Sequence, residues 1–109
     1  MFEHLSVTQT RQLIEKQSPL LVDIRDRQSY CQGHIEGAQH IDNESLPDFL
    51  ARADKNRPVI VCCYHGNSSQ PAAEWFNQQG FSKSYSMDGG MVEWALANPL
   101  VSSLDQSGL

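Results

Sequence analysis

A chain of 109 residues is long enough for one sheet with covering helices and too short for two independent cores. Hydrophobic residues make up 39% and charged residues 19%, and no apolar run approaches the ~18 residues that a membrane span needs. The net charge of -5, with Lys and Arg scattered along the chain, argues against a phosphate-backbone footprint, so neither membrane nor nucleic acid is expected as a partner. The first twenty residues carry acidic Glu3 and Glu15 where a secretory signal would be basic and then apolar. Three cysteines, two of them adjacent, do not suit a paired disulfide framework. The expected location is cytoplasmic, with the thiols reduced.

In chain order, Ser6 and Gln9 have capping-box spacing ahead of Leu13 and Ile14, and Pro19 follows, which predicts a helix over 7–16. The apolar run LLVDI, 20–24, is too short for a helix and ends at Arg25, Asp26 and Arg27, so it reads as a buried strand. SYCQG, 29–33, suits one helical turn closed by Gly33, and a second brief strand follows at 39–41. NESLPDFLARAD, 43–54, reads as a helix capped by Asn43 or Ser45, with Pro47 in its first turn. PVIVCC, 58–63, is β-branched and wholly apolar, the pattern of a central strand. A helix is predicted over 69–79, with Pro71 in its first turn and Gly80 at its stop. SKSYSM, 82–87, reads as a strand, and Gly89-Gly90 turns into a last helix that ends before Pro99. Residues 1–98 therefore form the single expected domain, and 99–109 a C-terminal tail expected to be partly ordered.

Strands alternating with helices imply a parallel α/β sheet, which binds ligands beyond the carboxyl ends of its strands. Two strands end in chemistry here, LLVDIR and VIVCCYHGNSS. Between Cys63 and a helix starting at Ser69, the segment Tyr64-His65-Gly66-Asn67-Ser68 must turn sharply with its amides inward, and Gly66 permits a backbone that a side chain would oppose. Such a nest at a helix N-terminus collects anions and favours the thiolate of a cysteine at its centre, with the hydroxyls of Ser68 and Ser69 as added donors. Side chains alternate along a strand, so one of Cys62 and Cys63 belongs to the core; Cys63 is assigned the chemistry. The competing reading is a small apolar residue ending a buried strand, followed by an ordinary connection capped by Asn67, Ser68 or Ser69.

A tyrosine phosphatase needs an arginine six positions after its cysteine, and that position holds Ser69. Cys31, Cys62, Cys63, His34, His40 and His65 lack the two-plus-two spacing of a zinc site, so no metal is expected. Asp23 and Arg25 lie two apart on a strand end and suit an ion pair that supports the neighbouring loops, and His34 reads as a hydrogen-bonded support. Within the loop, His65 projects outward and Tyr64 walls the pocket or meets a partner. Cys31, Trp75 and Trp94 read as structural.

LLVDIRDRQSYCQGHIEGAQHI, VIVCCYHGNSS and DGGMVEW, in this order, resemble the rhodanese domain, and CYHGNSS resembles the loop of its single-domain GlpE type of thiosulfate sulfurtransferase. The resemblance covers about residues 4–98. It implies a three-layer α/β fold with a central five-stranded, mainly parallel sheet flanked by helices. It adds a short first strand near 3–6 that the residue pattern does not reveal. It also implies that a Cys63 thiolate takes the outer sulfur of thiosulfate, releases sulfite and passes the sulfur from a persulfide to cyanide or a thiol, with a thioredoxin-like dithiol protein as acceptor. Tyr64, His65, Gly66, Asn67, Ser68 and Ser69 would bind the substrate, and no metal or organic cofactor is implied. A loop without a cation implies modest affinity for the thiosulfate dianion. The alternative is a non-catalytic or redox-sensing rhodanese-like binding module, against which an intact Cys63 and a complete loop weigh.

Overall fold

The computed structural model describes residues 1–103. Five strands and five helices alternate: β1 (Glu3–Leu5), α1 (Val7–Gln17), β2 (Leu20–Asp23), α2 (Arg27–Gln32), β3 (Gln39–His40), α3 (Leu46–Arg52), β4 (Val59–Cys62), α4 (Ser69–Gln78), β5 (Ser84–Met87) and α5 (Gly90–Ala97). The strands form one sheet in the order β1-β5-β4-β2-β3, and every pairing is parallel. No helix among the described residues is long and apolar enough to cross a membrane.

The two faces of the sheet follow from the period of two along the central strands. On β4, Ile60 and Cys62 enter a cluster with Val7, Met91 and Trp94 under α1 and α5. Val59 and Val61 enter the opposite cluster, with Phe49, Ala73, Phe76 and Phe81 beneath α3 and α4. Val59, Ile60 and Val61 are fully buried, each contributing about 1.5–3 kcal/mol relative to exposure. That places β4 in the middle of a three-layer sandwich, with its carboxyl end delivering Cys63 to the rim.

Local chemistry explains the element ends. At α1 both halves of the capping box form, Ser6 Oγ accepting from the Gln9 N–H and Gln9 Oε1 from the Ser6 N–H. α2 begins two residues earlier than the sequence suggests, because the Asp26 carboxylate caps it by accepting from the Ser29 N–H. Gly33 closes α2 in an extended conformation rather than a left-handed one, and a Cβ there would meet the end of the exposed Leu100 side chain, 2.8 Å from its Cδ1. α3 starts after Ser45, the second of the two expected caps, and stops two residues short of Asp54; the Ser45 hydroxyl makes no cap bond and turns back to Asp42 and the His40 carbonyl.

β1, which local pattern does not announce, is a three-residue edge strand paired to β5, and the Leu5 carbonyl accepts the Asp88 N–H. In the tail, Val101 forms an antiparallel bridge with His34 through two 2.9 Å hydrogen bonds, and the Ser103 N–H reaches the Cys31 carbonyl. Positions 104–109 lie outside the described residues.

Candidate active site

Cys63 follows β4 directly and is 4% exposed. Its Sγ accepts from the N–H groups of Gly66 at 3.2 Å and Ser69 at 3.3 Å, and Ser69 Oγ lies 3.2 Å away. Ser69 is fully buried at the start of α4, and its hydroxyl is 2.7 Å from that of Ser86 on β5. When Cys63 is a thiol it donates to Ser69; when it is a thiolate the direction reverses, Ser69 donating to sulfur and Ser86 to Ser69. The sulfur thus meets two amides, a polarised hydroxyl pair and the N-terminus of α4, a set suited to holding negative charge.

The loop is held from behind by α5. The first-turn amides of that helix have no intrahelical acceptor, and two of them are used here: Met91 N–H donates to the Cys63 carbonyl at 2.7 Å and Val92 N–H to the Tyr64 carbonyl at 3.0 Å. These two bonds fix the first two peptides of the loop against α5, and of the loop amides it is those of Gly66 and Ser69 that reach the sulfur. The approach is close enough to require glycine, since a Cβ on Gly90, at φ +63°, would lie 2.3 Å from the Tyr64 oxygen. Gly66, at φ +90°, packs against the backbone of Met87 and Gly89, where a Cβ would be 2.9 Å from the Gly89 nitrogen.

The other loop residues differ in placement. His65, Asn67 and Ser68 are exposed, while Gly66 and Ser69 are buried. Ser68 stands at the cap position of α4 without a side-chain cap bond, so of the two serines it is Ser69 whose hydroxyl reaches the sulfur. The Asn67 carbonyl accepts the Gln70 N–H, and Gln70 Nε2 donates to the Gly66 carbonyl at 2.9 Å. Tyr64 lays its ring over the Arg25 guanidinium, Cζ to centroid 5.7 Å, and its hydroxyl meets the Asp26 carboxylate and Ser29 Oγ. The Tyr64 hydroxyl foremost, then the Ser29 amide and hydroxyl, hold Asp26 down to about 2 from an ordinary 3.8.

Asp23 and Arg25 form a buried bidentate pair at 2.7 and 3.0 Å, their side chains 1% and 8% exposed. Burial opposes the Arg25 charge, but the Asp23 hydrogen bonds and charge outweigh it and the net shift is upward. Arg25 Nη2 also donates to the Gly33 carbonyl at 2.7 Å, so this guanidinium braces the β2 end and the α2 exit and is not turned to the sulfur. His34 Nδ1 lies 2.7 Å from the Tyr30 carbonyl and its ring stacks on Tyr30 at 3.9 Å, away from the loop. Burial, then the Asp23 charge, pushes the Cys62 thiol far above its ordinary range, which leaves it protonated in the core. Among the described residues no group of three or more His, Cys, Asp or Glu side chains is placed to hold a metal ion.

Three contributors escape sequence reasoning. Ser86 reads only as part of a strand, and the α5 amides carry no side-chain signature at all. Asp26 does leave a trace, since Asp26 and Ser29 have N-cap spacing, but its second contact, to Tyr64, spans 38 residues.

Comparisons with known proteins find relatives over most of the chain. The chain is 51% identical over 106 residues to a protein of Pseudomonas paraeruginosa named thiosulfate sulfurtransferase GlpE, covering 97% of this chain and 96% of that one. A protein of the same name from Shewanella oneidensis is 50% identical over 97 residues, covering 89% and 96%. The solution structure of the rhodanese-like domain from the Anabaena protein Alr3790 superposes with a TM-score of 0.81 at 23% identity, over 96% of this chain and 83% of that one, a likeness of fold. The family described as Rhodanese-like domain matches residues 6–97, from the cap of α1 through α5 and including the Cys63 loop, and the chain belongs to that family.

Proposed function

We propose that this chain is a thiosulfate sulfurtransferase that carries sulfur as a persulfide on Cys63. The observation that supports this most directly is the Cys63 sulfur enclosed by the Gly66 and Ser69 amides, which can hold an anion before and after sulfur transfer. The Cys63 thiolate attacks the outer sulfur of thiosulfate; a new S–S bond forms, the bond to the sulfonate sulfur breaks, and its electron pair leaves with sulfite. The terminal sulfur of the Cys63 persulfide is then taken by cyanide, giving thiocyanate, or by a thiol, and the thiolate is restored. No general base is needed, because the nucleophile is used in its ionised form.

Ser69 and Gly66 are assigned to the anion, Tyr64 to the wall of the site, and His65, Asn67 and Ser68 to its entrance. Asp23, Arg25 and His34 support the loop without touching substrate. The acceptor in the cell is assigned to a thioredoxin-like dithiol protein, and the three free cysteines fit a reducing, cytoplasmic setting. The reaction requires no metal or organic cofactor.

Incubating the reduced protein with thiosulfate and weighing it and its peptides by mass spectrometry tests this reading. One sulfur atom gained on Cys63, discharged by cyanide or a dithiol and absent from Cys63→Ser, is the expected result. No gain, or equal gain on Cys31 or Cys62, would overturn the assignment and leave a binding module.

A further inference from the structure

We propose that Asp26 is a positioning residue for the Cys63 loop, acting through the hydroxyl of Tyr64. The proposal rests on the sulfurtransferase reading. Asp26 is exposed at the start of α2, and capping that helix occupies its Oδ2 with the Ser29 N–H at 3.0 Å. Its Oδ1 takes the Ser29 hydroxyl at 2.9 Å and also the Tyr64 hydroxyl, a contact that helix capping does not require.

Tyr64 is consequently held at both ends. Its ring tip is tethered to α2, with Ser29 Oγ 2.6 Å away, and its ring plane rests over Arg25, itself fixed by Asp23. Its carbonyl is gripped by the Val92 N–H, and Gly90 lies against the same peptide. With both ends held, the Tyr64–His65 peptide keeps its carbonyl toward α5, and two residues on the Gly66 N–H arrives at the sulfur. Freeing the ring tip removes one of the two holds and lets that amide leave the anion. The carboxylate suits a permanent tether: with its pKa near 2 it stays a charged acceptor throughout the neutral range.

Two variants separate this role from helix capping. Asp26→Ser keeps a good cap residue but is too short to reach Tyr64, and Tyr64→Phe keeps the ring but has no hydroxyl. In single-turnover sulfur loading from thiosulfate, each is expected to slow persulfide formation on Cys63 roughly ten-fold, the loss of one charge-assisted hydrogen bond. The double variant is expected to be no slower than Tyr64→Phe alone, because that variant already removes the Asp26 contact together with the one to Ser29, and melting temperatures are expected to stay within about 4 °C of the native chain.

Native-rate loading in either single variant, multiplied losses in the double variant, or a loss that tracks melting alone would overturn the proposal. If the unmodified chain gains no sulfur on Cys63, it is the sulfurtransferase reading that fails. The positioning role is then read from Cys63 alkylation by iodoacetate, where the same ten-fold slowing and the same non-additivity are expected, and native rates would overturn it.

Discussion

Ser69 meets the Cys63 sulfur twice, through its amide at the head of α4 and through a hydroxyl backed by Ser86. Ser69→Ala keeps the amide and removes the hydroxyl, so sulfur loading is expected to fall roughly ten- to hundred-fold, the range of a hydrogen bond to a charged group. Urea unfolding should register about 1–3 kcal/mol lost as well, because Ser86 keeps a buried hydroxyl without its partner. Asp26 gives a prediction in pH. Its folded pKa lies below its ordinary value, so the tether to Tyr64 stabilises the fold above about pH 4 and is lost as pH falls through about 2. A carboxyl-carbon NMR titration is expected to place the Asp26 midpoint near 2 in the native chain and to raise it part of the way toward 3.8 in Tyr64→Phe, where the Ser29 bonds persist. Cys63 and its loop are legible in the sequence because a thiol after an apolar run, followed by small polar residues, is a local pattern. The bonds of Asp26 to Tyr64 and of Ser86 to Ser69 are illegible for the opposite reason: they cross 38 and 17 residues and exist only once the sheet has formed.

At the scale of elements, α5 acts through its first turn rather than its side chains. Gly90→Ala would press a Cβ into the Tyr64 backbone oxygen while holding an unfavourable positive φ, so stability is expected to fall by at least the ~1–3 kcal/mol of such strain. Sulfur loading should fall with it, since the loop is what must move aside. Gly37→Ala is the control: it also stands at positive φ, but a Cβ there meets open space, so only the strain should appear in urea unfolding and loading should be unchanged. The longer helices and the central strands follow from capping, prolines and apolar runs that a reader of the sequence can see. β1 does not, because Glu3–Leu5 is short and mostly exposed and becomes a strand by pairing with β5. At α3 the cap residue is legible but its bond is not: Ser45 stands at the cap, while Asp42 and the His40 carbonyl take its hydroxyl.

Across the whole molecule, the alternation of strands and helices announces a parallel sheet, whereas the order β1-β5-β4-β2-β3 depends on pairings that no local pattern encodes. That order sets β4 between β2 and β5 and brings Asp23 opposite Cys62, so the buried Asp23–Arg25 pair braces the rim beside the loop. Asp23→Ala would leave the Arg25 guanidinium buried without its carboxylate, and urea unfolding is expected to show a loss of about 3–5 kcal/mol. The same sheet determines what an oxidant can do to the two neighbouring thiols. Cys62 faces the layer of α1 and α5, while the Cys63 sulfur faces the start of α4, so their Cβ directions diverge and a disulfide between them cannot close without moving the backbone. Peroxide at Cys63 therefore leads to a sulfenic acid rather than to a bond with its neighbour, and that acid waits on some thiol other than Cys62 for its repair.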